Sequence, residues 1–315
     1  MPDHFKLDAS TQRELFSEID GEYVIPPSPG IDAAAAVHAN GEVIGVNMDA
    51  LACYVEDTFE AARMTMFWNI VDLYMIGVEP DYSGVYFNSR HVDAEEFMRG
   101  LYDEANRRRC PVSAGETLTV QDNPKTVGGM ATFGVADREH LVDLRDIEPG
   151  QDIVLIGEYG KWLAMMAADY RGEQLPWTTA DLELPSKARI ARKYAAGMKD
   201  NAAEGLRKVA RDIAAEADVR VDIERDSIPF QPAAKQFFDT AMTEQLGDRD
   251  MLQMMDVSSF VAVTDTGSTD ALIDELESEG YTATVIGSTS NGSQAYIDGQ
   301  TVEGRGDPIL DFFWG

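Results

Sequence analysis

The pattern of apolar and polar positions divides the chain into short strands and amphipathic helices. Residues 43–48 (VIGVNM) form an apolar run that predicts a strand. From Asp57 the spacing turns helical, with Phe59, Ala62, Met66, Ile70, Leu73 and Gly77 recurring every three or four positions. Residues 82–87 predict a second strand. Asp93, followed three positions later by Glu96, has the form of a capping box and opens a second helix. That helix ends at Arg107, Arg108 and Arg109, where cations suit the C-terminal dipole. Val112 begins a third strand and residues 127–135 a fourth, with Gly128-Gly129 read as a strand bulge. The order strand, helix, strand, helix, strand, strand predicts helices on one face of a mixed sheet.

The segment IEPGQDIVLIG makes a fresh start, because Pro149-Gly150 is a turn signal and residues 153–156 are an apolar strand. A domain boundary near residue 147 is therefore expected. Beyond it, helices are predicted over 162–168, 187–196 and 203–215, and strands over 219–223, 260–264, 282–286 and 295–297. A further helix falls within 265–280. Both halves read as α/β (α+β).

Composition narrows the class. The chain has 315 residues, 44% of them hydrophobic, enough for two packed cores. Its densest apolar stretch, residues 64–78, is interrupted by Asn69 and Asp72 and falls short of the roughly 18 residues a membrane helix needs. The opening MPDHFKLDAS lacks the pattern of a secretory signal. Cys53 and Cys110 form no CxxC pair, which argues against a disulfide scaffold or zinc ribbon and makes a reducing cytoplasm the expected location. His4, His38, His91 and His140 are scattered, with no metal-ligand spacing.

Charge changes the picture further. Asp and Glu number 56 against 26 Lys and Arg, a net charge of −30. Such a surface repels nucleic acid and anionic lipid, so neither is an expected partner. It suits a halophilic chain, kept hydrated by carboxylates in concentrated salt. Any nucleotide bound here would need a metal ion to bring its phosphates near the protein.

Against that background Asp72 stands out. Within MFWNIVDLYMIGV (residues 66–78) it is the only ionisable side chain apart from Tyr74, and a buried carboxylate must be hydrogen-bonded, neutralised or holding a cation. Asp32 follows the loop PPSPG, Asp49 follows the first predicted strand, and Glu116 ends the strand begun at Val112. Ligands of α/β sheets gather where strands end. These carboxylates, with Asn69 and Thr117, would make an oxygen-rich site suited to Mg²⁺ rather than zinc. The alternative is that a chain this acidic places carboxylates at strand ends by chance.

Four segments in order, GIDAAAAV (30–37), VNMDALACYVED (46–57), WNIVDLYMIGVEP (68–80) and SAGETLTV (113–120), resemble the aminoimidazole ribonucleotide (AIR) synthetase-like, or PurM-like, superfamily. That group includes thiamine-monophosphate kinase, selenophosphate synthetase and the hydrogenase-maturation carbamoyl dehydratase. In the second half, GQDIVLIGEYG, MKDNAAEGL and YTATVIGST are also similar to the superfamily pattern. The resemblance implies a two-domain fold: a segment 1–29 that is flexible, an ATP- and Mg²⁺-binding domain over 30–146 whose sheets join into a barrel in a homodimer, and an α/β domain over 147–315. It implies Asp32, Asp49, Asp72 and Glu116 as ligands of Mg²⁺ on ATP. It further implies Asn69, Gly115, Thr117 and Gly205 as nucleotide-binding positions and Asp200 as the catalytic residue.

The activity so implied is ATP-dependent phosphoryl transfer that activates an amide or similar oxygen of a small molecule, such as a phosphorylated ribonucleotide. GVEP, GET and the run LPSKARIARKY are similar to AIR synthetase itself. Yet MDALACYVED replaces that enzyme's DGVGTK, and its glycine triplet is absent before Gly205. A kinase of the thiamine-monophosphate type and a non-catalytic, nucleotide-binding relative are the alternatives.

Overall fold

A computed structural model describes Glu14 and residues 22–38, 41–50, 57–88, 93–118, 127–170, 172–173, 178–242 and 250–304. Cys53, His4, His91 and most of the segment 1–29 lie outside them. The first half is a six-stranded mixed sheet of β1 (Tyr23–Ile25), β2 (Ala34–Val37), β3 (Glu42–Ala50), β4 (Tyr82–Asn88), β5 (Val112–Leu118) and β6 (Val127–Asp137). Its order is β1-β2-β3-β6-β4-β5, with β4 and β5 parallel and every other pair antiparallel. Helices α1 (Thr58–Met75) and α2 (Ala94–Arg108) cover one face. The expected mixed sheet with helices on one face is present. Two strands, β1 and β2, are added at its edge, and β1 falls within the segment expected to be flexible.

Local chemistry sets the helix ends. Asp57 accepts from the amide of Glu60, and Asp93 from those of Glu95 and Glu96, so each supplies an acceptor to the unsatisfied first turn. Gly77 ends α1 rather than continuing its apolar face: its φ is +80°, and a Cβ there would lie 2.0 Å from the carbonyl of His140. The fully buried Glu104 of α2 accepts from Arg63 of α1 at 3.2 and 3.1 Å and from Arg108 at 2.7 Å, clamping the two helices together.

The second half is a seven-stranded sheet ordered β13-β12-β9-β11-β7-β10-β8. Its strands are β7 (Asp152–Ile156), β8 (Ala195–Asn201), β9 (Val219–Ile223), β10 (Asp256–Thr264), β11 (Ala283–Asn291), β12 (Ala295–Ile297) and β13 (Gln300–Thr301). Helices α3 (Lys161–Tyr170), α4 (Leu184–Ala191), α5 (Gly205–Ala217), α6 (Pro232–Phe237) and α7 (Thr266–Ser278) accompany it. The helix expected over 187–196 instead starts at Leu184, with Pro185 in its first turn, and stops before Ala195. Residues 195–201 form β8, because pairing with β10 overrides the helical preference of the alanines. Gly128 and Gly129 pair in unbroken register with Phe87 and Tyr86, so no bulge forms there.

Helix α1 joins the halves. Ala62, Met66 and Ile70 pack on the first sheet, whereas Met64, Phe67, Trp68, Val71 and Tyr74 belong to the core of the second half, with Trp162, Leu184 and Met198. A helix packed on both sides is apolar all round. Among the described residues no helix is long and apolar enough to cross a membrane.

Candidate functional site

A polar stripe interrupts the apolar surface of α1. Thr65, Asn69 and Asp72 follow one another at helical spacing, so they share a face. Thr65 donates to the Ala61 carbonyl and the Asn69 amide to the Thr65 carbonyl, both at 2.9 Å. The Asn69 carbonyl in turn accepts from Asn47 of β3 at 3.2 Å and from Thr132 of β6 at 2.9 Å. Asn47 and Thr132 are register partners, so the stripe is locked onto one row of the sheet. Asn69 is fully buried, and its Oδ1 has no hydrogen-bond partner among the described residues.

Asp72 lies at the end of this stripe. Its carboxyl is held well above the usual carboxylate range, first by burial, then by the charges of Asp200 and Asp49, against an opposing hydrogen bond from Asn47. Asp49 is two residues beyond Asn47 on the same strand face, at the exposed end of β3. Asp200 arrives from the second half on the edge strand β8 and is 2% exposed. Residues from β3, α1 and β8 thus meet at the junction of the two sheets.

Asp32 is engaged differently. It pairs with Lys199, a buried neighbour of Asp200 on β8, and Lys199 also donates to Asp200 at 3.2 Å. Burial pulls the Lys199 ammonium below the usual lysine range, the charge of Asp200 opposing it. The loop bearing Asp32 is fastened a second time by Ser28, which donates to Glu216 of α5 at 2.5 Å. Asp32 is therefore linked to Asp200 through an ammonium.

Glu116 is not brought to the group. Asp49 shares a row with Met130, Val85 and Gly115, and Met130 and Val85 are buried beneath the helices. Glu116 shares the next row with Gly129 and the exposed Tyr86, so alternation turns it to the opposite, open face. Gly115 and Thr117 belong to the same edge strand, β5, three strands and about 14 Å from β3. Gly205 opens α5 with φ +52°, and a Cβ there would lie 2.2 Å from the Tyr159 hydroxyl and 2.4 Å from the Met254 carbonyl. Its place is fixed by packing. Sequence reasoning missed Asn47, Thr132 and Lys199; only Asn47 carried a signal, lying two residues before Asp49 in a strand.

Among the described residues no three His, Cys, Asp or Glu side chains are gathered closely enough to cage a metal ion. Mg²⁺ on a nucleotide does not need such a cage, since it takes one or two carboxylates and completes its shell with phosphates and water. Asp49 and Asp72, with Asp200 adding to the negative charge, fit that requirement: a cation would offset both the burial and the repulsion that raise the carboxyl of Asp72.

Comparison with known proteins agrees with this architecture. Residues 30–136 match the family of AIR synthase related proteins, N-terminal domain. No curated protein matches the chain. Among solved structures, thiamine-monophosphate kinase from Stenotrophomonas maltophilia is similar at 20% identity and a TM-score of 0.66, covering 92% of this chain and 95% of that one. The protein tt0281 from Thermus thermophilus has 17% identity and a TM-score of 0.73, covering 95% and 98%. The hydrogenase maturation protein HypE in complex with ATP has 15% identity and a TM-score of 0.70, covering 89% and 90%. Residues 30–136 are thus similar to the AIR synthase related N-terminal domain, and over the whole chain the likeness to these solved structures is one of fold, with no subfamily assigned.

Proposed function

We propose that the chain is an ATP- and Mg²⁺-dependent enzyme that transfers a phosphoryl group to an amide or similar oxygen of a small molecule, as AIR synthetase does. The observation that carries this reading is the meeting of Asp49, Asp72 and Asp200, drawn from both halves of the chain around one negatively charged point. The ATP held by the similar HypE structure supports it. The bound ion would neutralise phosphate oxygens and polarise the transferred phosphoryl group. Asp72 and Asp49 would hold that ion. Asp200, carried by the second half, would place the acceptor side against the phosphate. Asn69 keeps the stripe aligned, its bonds to Asn47 and Thr132 fixing α1 on the sheet. Catalysis by such residues is positioning and charge neutralisation, with no nucleophilic side chain required.

The reading includes a homodimer. Six of the nine large apolar side chains exposed among the described residues, Val46, Met48, Tyr82, Tyr86, Phe133 and Val135, lie on the open face of the first sheet. A continuous apolar face on a chain of net charge −30 is suited to burial against a second copy. Glu116 lies on that face and would enter the site only through the partner.

A kinase that releases its phosphorylated product is the second reading, favoured by the similarity to thiamine-monophosphate kinase. Calorimetric titration of ATP with and without Mg²⁺, followed by assay of ADP and phosphate release with candidate acceptors, tests both. Mg²⁺-dependent binding with acceptor-dependent phosphate release is expected of the synthetase, and ADP with a phosphorylated product of the kinase. Absence of Mg²⁺-dependent ATP binding overturns the proposal.

A further inference from the structure

Lys199 is one of eight lysines in the chain, and its side chain is 5% exposed. Three carboxylates surround its ammonium, each from a different element. Asp32 comes from the loop before β2 and is itself only 8% exposed, Asp200 lies 3.2 Å away on β8, and Asp212 of α5 lies at 4.0 Å. Lys208 pairs with Asp212 from its outer side. An ammonium is a compact charge with three donors, so it can serve several oxygens at once, much as a small metal ion does.

We infer that the Lys199 ammonium is the resident cation of this cluster, doing for Asp32, Asp200 and Asp212 what a divalent ion would otherwise have to do. It confines metal binding to the Asp49–Asp72 side. Lys208 already meets Asp212 at the outer edge of the cluster, but Asp32 and Asp200 lie deeper, and two carboxylates this buried cannot both stay ionised without a cation between them. The oxygen donors left by removing the ammonium are hard ones of the kind Mg²⁺ and Mn²⁺ prefer; as they stand they do not cage an ion, and one taking the ammonium's place would hold one or two of them and complete its shell with water. The same contact bolts the Asp32 loop of the first sheet to the edge strand of the second, so the cation also holds the two walls of the site together.

The inference rests on the carboxylate site proposed above, and its test is kept separate from ATP chemistry. Wild type, Lys199→Met and Lys199→Arg are titrated with Mn²⁺ in the absence of nucleotide, counting bound ions by electron paramagnetic resonance, and their unfolding temperatures are measured with EDTA and with Mn²⁺ at constant ionic strength. Lys199→Met is expected to unfold several degrees below wild type in EDTA, to bind one additional Mn²⁺ per chain, and to recover most of its lost unfolding temperature when the ion is present. Lys199→Arg, which keeps the charge, is expected to gain no ion. No additional Mn²⁺ in Lys199→Met, or no recovery with it, overturns the inference. Should Lys199→Met fail to fold even with Mn²⁺, Asp32→Asn decides: it keeps the Mn²⁺ count of wild type if Asp32 answers to Lys199, and a lower count overturns the inference. Failure of wild type to bind Mg²⁺-ATP would count against the proposed enzyme while leaving this ion count to be read on its own.

Discussion

Asp200 of β8 lies near enough to Asp72 of α1, where that helix packs on the strand, for its charge to add to burial in holding the Asp72 carboxyl well above the ordinary range. A protein keeps such a repulsion where function requires it, because the same space could hold a neutral amide at lower cost. Asp72→Asn is therefore expected to fold with an unchanged or higher unfolding temperature. Its affinity for Mg²⁺-ATP should fall at least tenfold, about 1.4 kcal/mol. Calorimetry with Mg²⁺ and with EDTA checks this, since the loss should vanish when the metal is absent. Unaltered Mg²⁺-ATP affinity in both Asp72→Asn and Asp49→Asn would remove the site.

How far this site was legible in the sequence depends on the residue. Asp72 was conspicuous because burial of α1 on both sides leaves it the one Asp, Glu, Lys or Arg in residues 64–78. Its partner Asp200 was carried by the resemblance alone, since β8 hides its strand character in the polar run Lys199, Asp200, Asn201. Glu116 shows the limit of strand-end reasoning. Lying at the end of a strand gives no information about the face, and here one residue of register separates Glu116 from the row of Asp49. The pairing of Asp32 with Lys199 joins segments far apart in the chain, which no local pattern encodes.

The open face of the first sheet gives the second prediction. Phe133 pairs in register with Val46 on one side and Tyr82 on the other, at the middle of the exposed apolar set. Phe133→Glu should leave the core untouched, because the side chain points away from the helices. Sedimentation equilibrium is expected to report a dimer for wild type and a monomer for the variant. A wild-type monomer at micromolar concentration, or a variant that stays dimeric, would show that this face is not where copies meet.

Gly205 offers a check on the second half. Its left-handed backbone and the nearby Tyr159 hydroxyl, Met254 carbonyl and Leu252 carbonyl leave no space for a methyl group. Gly205→Ala should cost about 2–4 kcal/mol, from overpacking and backbone strain together. Urea unfolding measures it. A cost below about 0.5 kcal/mol, the range of ordinary surface changes, would mean that the turn relaxes freely and that packing does not fix this glycine.

Lys187 supplies a pH-dependent prediction away from the carboxylates of the site. Its ammonium donates to the Ser258 carbonyl at 3.3 Å and lies over the Tyr281 ring. Burial lowers it from 10.5 to about 8; Lys161 adds to the lowering, while Asp256, Glu183 and Glu158 oppose it. Between those two values the unfolded chain holds a proton that the folded chain has released, so this group's contribution to stability rises as pH increases. Below pH 8 the folded protein carries the full penalty of a buried charge. Lys187→Met, similar in length and neutral, removes that penalty and should be more stable than wild type at pH 7, by about 1–3 kcal/mol once the lost hydrogen bond is set against it. The advantage should shrink steadily between pH 8 and 10.5. The difference between the two unfolding curves is the quantity to follow, because the general repulsion of so acidic a chain affects both alike. A difference that stays constant over this range would mean that Lys187 keeps its proton in the folded protein, held there by Asp256 and the neighbouring glutamates.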